Sequence, residues 1–515
     1  MNTKLFALVA VFTGGLALRP FAAAPIVTRA EPSAAVPGGT SEITFSGENL
    51  EGSLDLWTSF SCEVSPADPP GQPTFKLKIP QGVPPGLGAI RLITTNGVSN
   101  PQLFLIDSIP SVASGGTNHS LATARIVARP GSFDGVCQEL RSDFYQLRAR
   151  KGERCSIEVV AQRTGSALDP LLRLLDSQGG ELAANDDAPG LGSDARLDFR
   201  FPKTGGYFVE VRDTRYAGGP RHRYQLRVDR MLPTPLLFLF DAELAPLMAA
   251  PVASDSVLER EPNDTASQAQ RVKPPVEVAG RFAQAGDRDV YEFQSNEGDR
   301  LLISGRTRSL ASPCDLYLQL QDSHGAKVAE ANANSADEGR LTNRFDRTDI
   351  YRLVVEELNR GGGPGLNYRL AIEPLPPGFS LSLETERVSV PAGDSFEIEV
   401  QAQRRDYDGP IDLALMGLPD RFSVSNALIP AKTNTTKIKV TVPPDLSLGD
   451  FRHFGITGNA TIGETHFSAR ASTLPALRNV FPDLRHPPRE LDGPIALSIA
   501  ASKSTTGQPQ KKRRK

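Results

Sequence analysis

The sequence predicts an all-β chain of tandem β-sandwich modules, jelly-roll-like and immunoglobulin-like, on three observations. Apolar residues alternate with polar ones at period two through most of the chain, the pattern of strands that bury one face. Glycine (45) and proline (42) in 515 residues stand well above the usual ~12% combined, which suits short strands joined by turns and suits long helices poorly. An internal repeat is also present: motifs between 143 and 228 recur between 289 and 372.

Length allows three or four folded units at about 150 residues each. With 39% hydrophobic and 23% charged residues, each unit can bury a core, which excludes disorder throughout. The formal net charge of −3 gives no whole-protein field that would recruit nucleic acid or an anionic membrane.

Residues 1–24 read as a secretory signal: Lys4, an apolar run from Leu5 to Leu18, and a small-residue cleavage site at Ala22-Ala23-Ala24. A membrane anchor is the poorer reading, because Gly14, Gly15 and Arg19 leave the run short of the ~20 apolar residues a span needs. No later segment is long enough to span. The mature chain is therefore expected to be secreted or extracytoplasmic, in the periplasm or at the cell surface.

Residues 25–112 carry Pro25-Ile-Val-Thr, Glu31-Pro32, Gly38-Gly39-Thr40 and Ile43-Thr-Phe-Ser-Gly47, with a tight-hairpin signal at Asn96-Gly97. This pattern resembles an immunoglobulin-like IPT/TIG module. The repeats follow at 115–230 and 256–375. Asp143-Phe-Tyr-Gln-Leu147 answers Asp289-Val-Tyr-Glu-Phe293, and Gly152 answers Gly298. Asp176-Ser-Gln-Gly179 answers Asp322-Ser-His-Gly325, and Tyr224-Gln-Leu-Arg-Val228 answers Tyr368-Arg-Leu-Ala-Ile372. Parity puts Tyr145/Leu147, Cys155/Ile157/Val159, Leu172/Leu174, Tyr207/Val209/Val211 and Tyr224/Leu226/Val228 on one face, so each copy is expected to be a small sandwich.

The order of parts in each copy resembles the bacterial pre-peptidase C-terminal domain. That module occurs beside secreted peptidases and in the collagen-binding segments of clostridial collagenases. The resemblance implies an accessory, non-catalytic role. Between the copies, the apolar linker 231–255 is expected to pack against a neighbour. Residues 376–475 alternate again (Val388/Val390, Phe396/Ile398/Val400, Ile438/Val440/Val442) and predict an immunoglobulin-like sandwich. Residues 476–515, rich in Pro, Ser and Thr and ending Lys511-Lys-Arg-Arg-Lys515, read as a basic disordered tail.

The best candidate for chemistry is Glu259-Arg-Glu-Pro-Asn-Asp-Thr265. In an extended chain Glu259, Glu261 and Asn263 point to one side, Asp264 adds an oxygen, and Asp287 and Asp289 stand just before the next strand. Calcium takes six to eight hard oxygens, and carboxylates clustered without a cation repel one another. An ordinary solvated acidic turn is the competing reading. The spacing is similar to the calcium-binding linker of collagenase collagen-binding domains. That resemblance implies Glu259, Glu261, Asn263, Asp264, Asp287 and Asp289 as ligands, with Ca2+ as cofactor in the second repeat only. The first repeat has Gly115-Gly-Thr-Asn-His-Ser120 there, without carboxylates.

Other constellations favour plain structure. Asn185, Asp186, Asp187 and Asp194 suit turn residues better than a metal site. Tyr207 and Tyr224 fall on the inward parity, which leaves Arg215, Tyr216 and Arg221 as exposed loop residues. Cys62, Cys137, Cys155 and Cys314 match no zinc spacing, and Cys137 with Cys155 is the best candidate for a bridge, against a bland reading as buried thiols. The sequence holds no H-E-x-x-H and no G-x-S-x-G, and its six histidines are scattered. The expected function is therefore that of a non-enzymatic binding or adhesion protein. Its partner would be an extracellular polymer (protein fibre or polysaccharide) or a cell-surface protein, with no nucleic acid. The alternative is the targeting arm of a secreted peptidase or other hydrolase whose catalytic part is a separate chain.

Overall fold

A computed structural model describes residues 23–502, apart from 68–71, 189–190, 233–237, 241–243, 248–255, 308–309, 311, 333–337 and 485–486. Most of the expected signal segment and the Lys511–Lys515 run therefore lie outside the described residues. Among those described, no helix is long and apolar enough to cross a membrane. The chain forms tandem β-sandwiches, as the alternation predicted.

The first sandwich stacks Ile26–Glu31, Thr40–Glu48, Thr74–Lys78 and Glu63–Pro66 against a sheet built on Gly86–Thr94 and Gln102–Ile106. The two repeats share one topology. In the first, one sheet runs Ser111–Ala113, Gly131–Val136, Arg223–Asp229, Arg154–Val160, Arg196–Arg200. The facing sheet runs Arg125–Ile126, Asp143–Ala149, Gly205–Asp213, Pro170–Leu175, Glu181–Asn185. The second repeat reproduces both orders over Ser256–Leu258 to Asn367–Pro374. The residues assigned inward by parity are buried: Tyr145, Ile157, Val159, Leu172, Leu174, Val209, Val211, Leu226 and Val228 are each 0% exposed. All four cysteines are free, so Cys137 and Cys155 do not form the candidate bridge. Cys137, Cys155 and Cys314 instead serve as small buried core residues.

The last sandwich does not stop at 475. After the short helix Leu474–Val480, the strand Ile495–Ile499 inserts between Arg387–Val390 and Phe451–Ile462. Ile495, Leu497 and Ile499 join the fourth core, and Ala496 meets Ile93 and Val98 of the first sandwich. A strand buried on both faces reads as a continuous apolar run. The described residues of 476–502 thus belong to the fold, contrary to the tail expected from their composition.

The modules are packed rather than strung out. Phe238 bridges to Leu87, and the Leu239 carbonyl accepts the Ser59 hydroxyl at 2.7 Å, so this part of the linker lies on the first sandwich, while Leu247 packs against Gly417 and Gly455 of the last. Leu477, Phe481 and Leu491 cover Ala89 and Leu103. Arg91 pairs with Glu386 at 2.7 Å, both nearly inaccessible. Arg227 of the first repeat, 0% exposed, donates to both oxygens of Asp107 from the first sandwich at 2.8 and 2.9 Å. Its third bond, at 3.0 Å, goes to Glu158 of its own module. Removing one member of a buried ion group strands the others. Asp107→Ala is expected to cost about 3–5 kcal/mol of unfolding free energy in urea titrations of the full chain. An unchanged midpoint would show that this seam does not hold the modules together.

Candidate metal centre

The second repeat begins on Ser256–Leu258, paired in parallel with Val276–Arg281. Glu259 extends that ladder: its N–H donates to the Ala279 carbonyl (3.0 Å), and its Oε2 accepts the Arg281 N–H (2.7 Å). Past Pro262, the Asn263 carbonyl accepts the Val290 N–H at 2.9 Å, which lays Asn263 beside Asp289. Both side chains are 0% exposed.

Oxygens of Glu259, Glu261 and Asp289 converge within 4.8 Å of one another. Asp289 Oδ2 accepts the Tyr368 hydroxyl at 2.6 Å. One amide atom of Asn263 stands 3.1 Å from Asp289 Oδ1 and 3.0 Å from Glu261 Oε2. Which amide atom this is depends on what else is bound. As nitrogen, it donates to both carboxylates. As oxygen, it makes a third acceptor in the cluster while the NH2 reaches Glu259 Oε1 at 3.4 Å, and a cation then reconciles the three. Burial first, then the Glu259 carboxylate, hold the Asp289 carboxyl far above its ordinary range. Burial and the charges of Asp287 and Glu259 raise Glu261 as well. Without a cation, the cluster relieves its repulsion by keeping a proton.

Asp287 and Asp264 stand apart from this group. Asp287 Oδ2 accepts the Ala283 N–H at 2.5 Å and closes the loop before the strand, so it contributes field rather than a converging oxygen. Asp264 is half-buried outside the cluster. The donors present are hard oxygens, a set that fits calcium and does not select zinc or copper.

The first repeat solves the same problem differently. Asn118 takes the place of Asn263, its carbonyl accepting the Phe144 N–H at 2.6 Å. Buried Asp143 accepts the Tyr224 hydroxyl at 2.6 Å, and Tyr145 and Tyr224 share a 2.7 Å bond, matching Tyr291 and Tyr368 at 2.6 Å. Where the second repeat adds glutamates, however, the first sets His119 Nδ1 at 2.9 Å from Asp143 Oδ1. The sequence reading found the missing carboxylates but not this imidazole. The available signal was a histidine at the offset of Asp264. Glycine is required beside each tyrosine: a Cβ on Gly135 or Gly280 would fall 2.2 or 2.3 Å from the Tyr224 or Tyr368 ring.

The other candidates are structural. Asp194, 0% exposed, pairs with Arg163 at 2.7 Å and accepts the Ala161 and Gln162 N–H groups at 3.0 and 2.6 Å. Asn185 and Asp186 serve their own turn, bonding main-chain atoms of Asp187 and Arg196. Tyr207 and Tyr224 are buried, Tyr216 lies under Arg212 at 4.1 Å, and Arg221 pairs with Asp483 of the last module.

Among known families, residues 141–213 match the bacterial pre-peptidase C-terminal domain. More particularly, the chain is 26% identical over 217 residues to a Deinococcus radiodurans protein described as a probable subtilase-type serine protease. That match takes in 35% of this chain and 27% of the relative, so the chain spans about a quarter of the length of the curated relative it matches. Among solved structures, the pre-peptidase C-terminal domain of a Bacillus anthracis collagenase is similar at 17% identity, over 23% of this chain and 97% of that one, with a TM-score of 0.17. SGBP-B of the Bacteroides ovatus mixed-linkage glucan utilization locus, in complex with a heptasaccharide, is similar at 10% identity, over 63% and 71%, with a TM-score of 0.15. The sandwich architecture is established by the strand pairing itself.

His119→Ala leaves the buried Asp143 without its imidazole. The expected loss is about 1–3 kcal/mol of stability, read by calorimetry of the full chain and not restored by calcium. An unaltered transition would show that the imidazole does not support the buried Asp143.

Proposed function

We propose that this chain is an exported, non-catalytic binding protein that recognises an extracellular polymer or a surface protein. One observation carries the reading: the sandwich interiors are filled by aliphatic side chains and bonded tyrosines, which leaves rims, connectors and seams for recognition. The match to the pre-peptidase C-terminal domain supports an accessory role. The identical strand order of 256–374 supports a second copy of that module, and the first sandwich suits an IPT/TIG-like unit. The likeness to a subtilase-type protease favours a second reading, in which the chain is the targeting arm of a hydrolase carried on a separate chain.

Incubation of the purified chain with insoluble collagen, glucans and acidic polysaccharides, followed by sedimentation, tests the binding reading. Retention on one polymer class without turnover is expected. Turnover blocked by an active-site probe would overturn it. Co-purification of a peptidase from secreted material would move the assignment to the targeting arm.

We further propose calcium in the second repeat, held by Glu259, Glu261, Asn263 and Asp289, with Asp287 and Asp264 adding charge at the rim. Calcium would supply the positive charge the cluster lacks, and main-chain oxygens and water would complete its shell. The pH dependence has a definite sign. The Asp289 carboxyl is raised in the folded state above its unfolded value of about 4, so the cation-free fold binds the extra proton and loses stability as pH rises past that value. Calcium removes that loss. The calcium-induced rise in melting temperature is therefore expected to grow from about pH 5 to about pH 8 and to vanish in Glu261→Gln. A shift equal at both pH values, or retained in that variant, would refute the site.

A further inference from the structure

We propose that the seam between the first sandwich and the first repeat is a binding site for the carboxylate-bearing sugars of an acidic polysaccharide, with Arg223 as the carboxylate anchor. The inference rests on the polymer-binding reading above and deepens it. A cavity of about 340 Å³ opens at this seam. That lies at the small end of the range for ligand pockets, which favour domain interfaces.

The cavity floor is one row of the repeat's outer sheet face. Along Arg223–Asp229, Tyr224, Leu226 and Val228 turn into the core, so Arg223, Gln225 and Arg227 face the first sandwich. Arg227 is taken up by Asp107 and Glu158. Asp134, across the ladder from Gln225, is closed off by Ser33, whose hydroxyl and N–H reach it at 2.5 and 3.1 Å. Gln225, 3% exposed, has no protein partner for either amide atom. Arg223 lines the same cavity, and beyond its main-chain pairing with Val136 its side chain forms no ion pair or hydrogen bond among the described residues. Burial and the nearby guanidinium of Arg29 disfavour its charge, the Glu31 carboxylate on the same cavity wall favours it less strongly, and Glu31 is itself engaged by Arg29 at 3.3 Å. A half-buried guanidinium with no carboxylate in contact among the described residues, beside an unpaired amide, leaves both groups to be satisfied by a ligand.

The ligand chemistry follows from these groups. A guanidinium fork matches a carboxylate with two parallel bonds. The surrounding donors and acceptors, Gln225, Thr164 and Ser166, suit hydroxyl groups. The Thr164 and Ser166 hydroxyls donate to the Ala161 and Arg221 carbonyls; the Thr164 oxygen remains as an acceptor, whereas Ser166 Oγ already accepts the Leu168 N–H at 3.1 Å and has one lone pair left. The second repeat does not offer this arrangement. At the same register it has Asn367, Arg369 and Ala371, and Arg369 is paired with Glu277 at 2.5 Å.

Calorimetric titration of the full chain with a panel of uronate oligosaccharides (trigalacturonate, trimannuronate and a hyaluronan tetrasaccharide) tests the site, with cellotriose and triglutamate as neutral and peptide controls. At least one uronate should bind, more weakly as salt rises, and Arg223→Gln should weaken it about tenfold or more. Arg369→Gln should leave it unchanged, and calorimetric melting confirms that both variants fold. No uronate binding, equal binding of cellotriose or triglutamate, or full affinity in Arg223→Gln overturns the site. Whole-polymer sedimentation separates the two readings. A chain that sediments with a polymer yet fails this titration loses only the seam site, whereas one that sediments with none loses the polymer reading as well.

Discussion

Each repeat is organised around a buried carboxylate that must be neutralised where the two sheets meet. Asp143 and Asp289 each begin a core strand of one sheet and accept the hydroxyl of a tyrosine on the other, Tyr224 or Tyr368. The second tyrosine of each pair, Tyr145 or Tyr291, completes a polar bolt through an otherwise apolar interior. Such a bolt is favourable only if every member is satisfied. The phenol serves one carboxylate oxygen. The other oxygen faces the segment that enters the module, so the chemistry of that segment decides whether the repeat balances its own charge or needs a positive partner. In the first copy that place is taken by the His119 imidazole, with no further carboxylate beside it. In the second, Glu259 and Glu261 increase the excess.

Much of this was legible in the sequence, because its signals are local. Period-two alternation assigned the buried faces of both repeats, and the recurring Asp-x-Tyr motif placed the two carboxylates in register. Glu259, Glu261 and Asn263 were recognisable because they lie within a single extended segment. What escaped notice joins residues far apart in the chain. The His119–Asp143 pair and the Arg227–Asp107 seam depend on loop paths and module packing that no window of sequence contains. The final strand escaped for another reason. Ile495-Ala-Leu-Ser-Ile499 is short, and the polar, basic residues around it dominate the composition of 476–515. Its own signal, five buried residues in succession, belongs to a strand covered on both faces.

The packing of modules changes what the array can do. Independent sandwiches on flexible linkers would gain reach and avidity. Here the first sandwich contacts the first repeat through Asp107 and Arg227, and the last module through Arg91, Ala89 and Val98. Phe238 and Leu239 of the intervening linker lie against it as well. Seams of this kind fix surfaces from different modules relative to one another, so a ligand meets a preformed constellation and the ordering cost of binding is lower.

The same packing separates two kinds of polar group. Where a buried charge meets its opposite across a seam, as at Arg227, it contributes to rigidity and is unavailable to a ligand. Where the seam opens, as at Arg223 and Gln225 four and two residues earlier on the same strand, no partner stands among the described residues and the group is left for something outside the chain. The second repeat follows the same division at its entrance, where Tyr368 is bonded within the fold and the oxygens of Glu259, Glu261 and Asp289 are not balanced by any protein cation within the cluster. In a protein whose interiors are fully packed, these incompletely matched places at module boundaries are where recognition has the most free energy to gain.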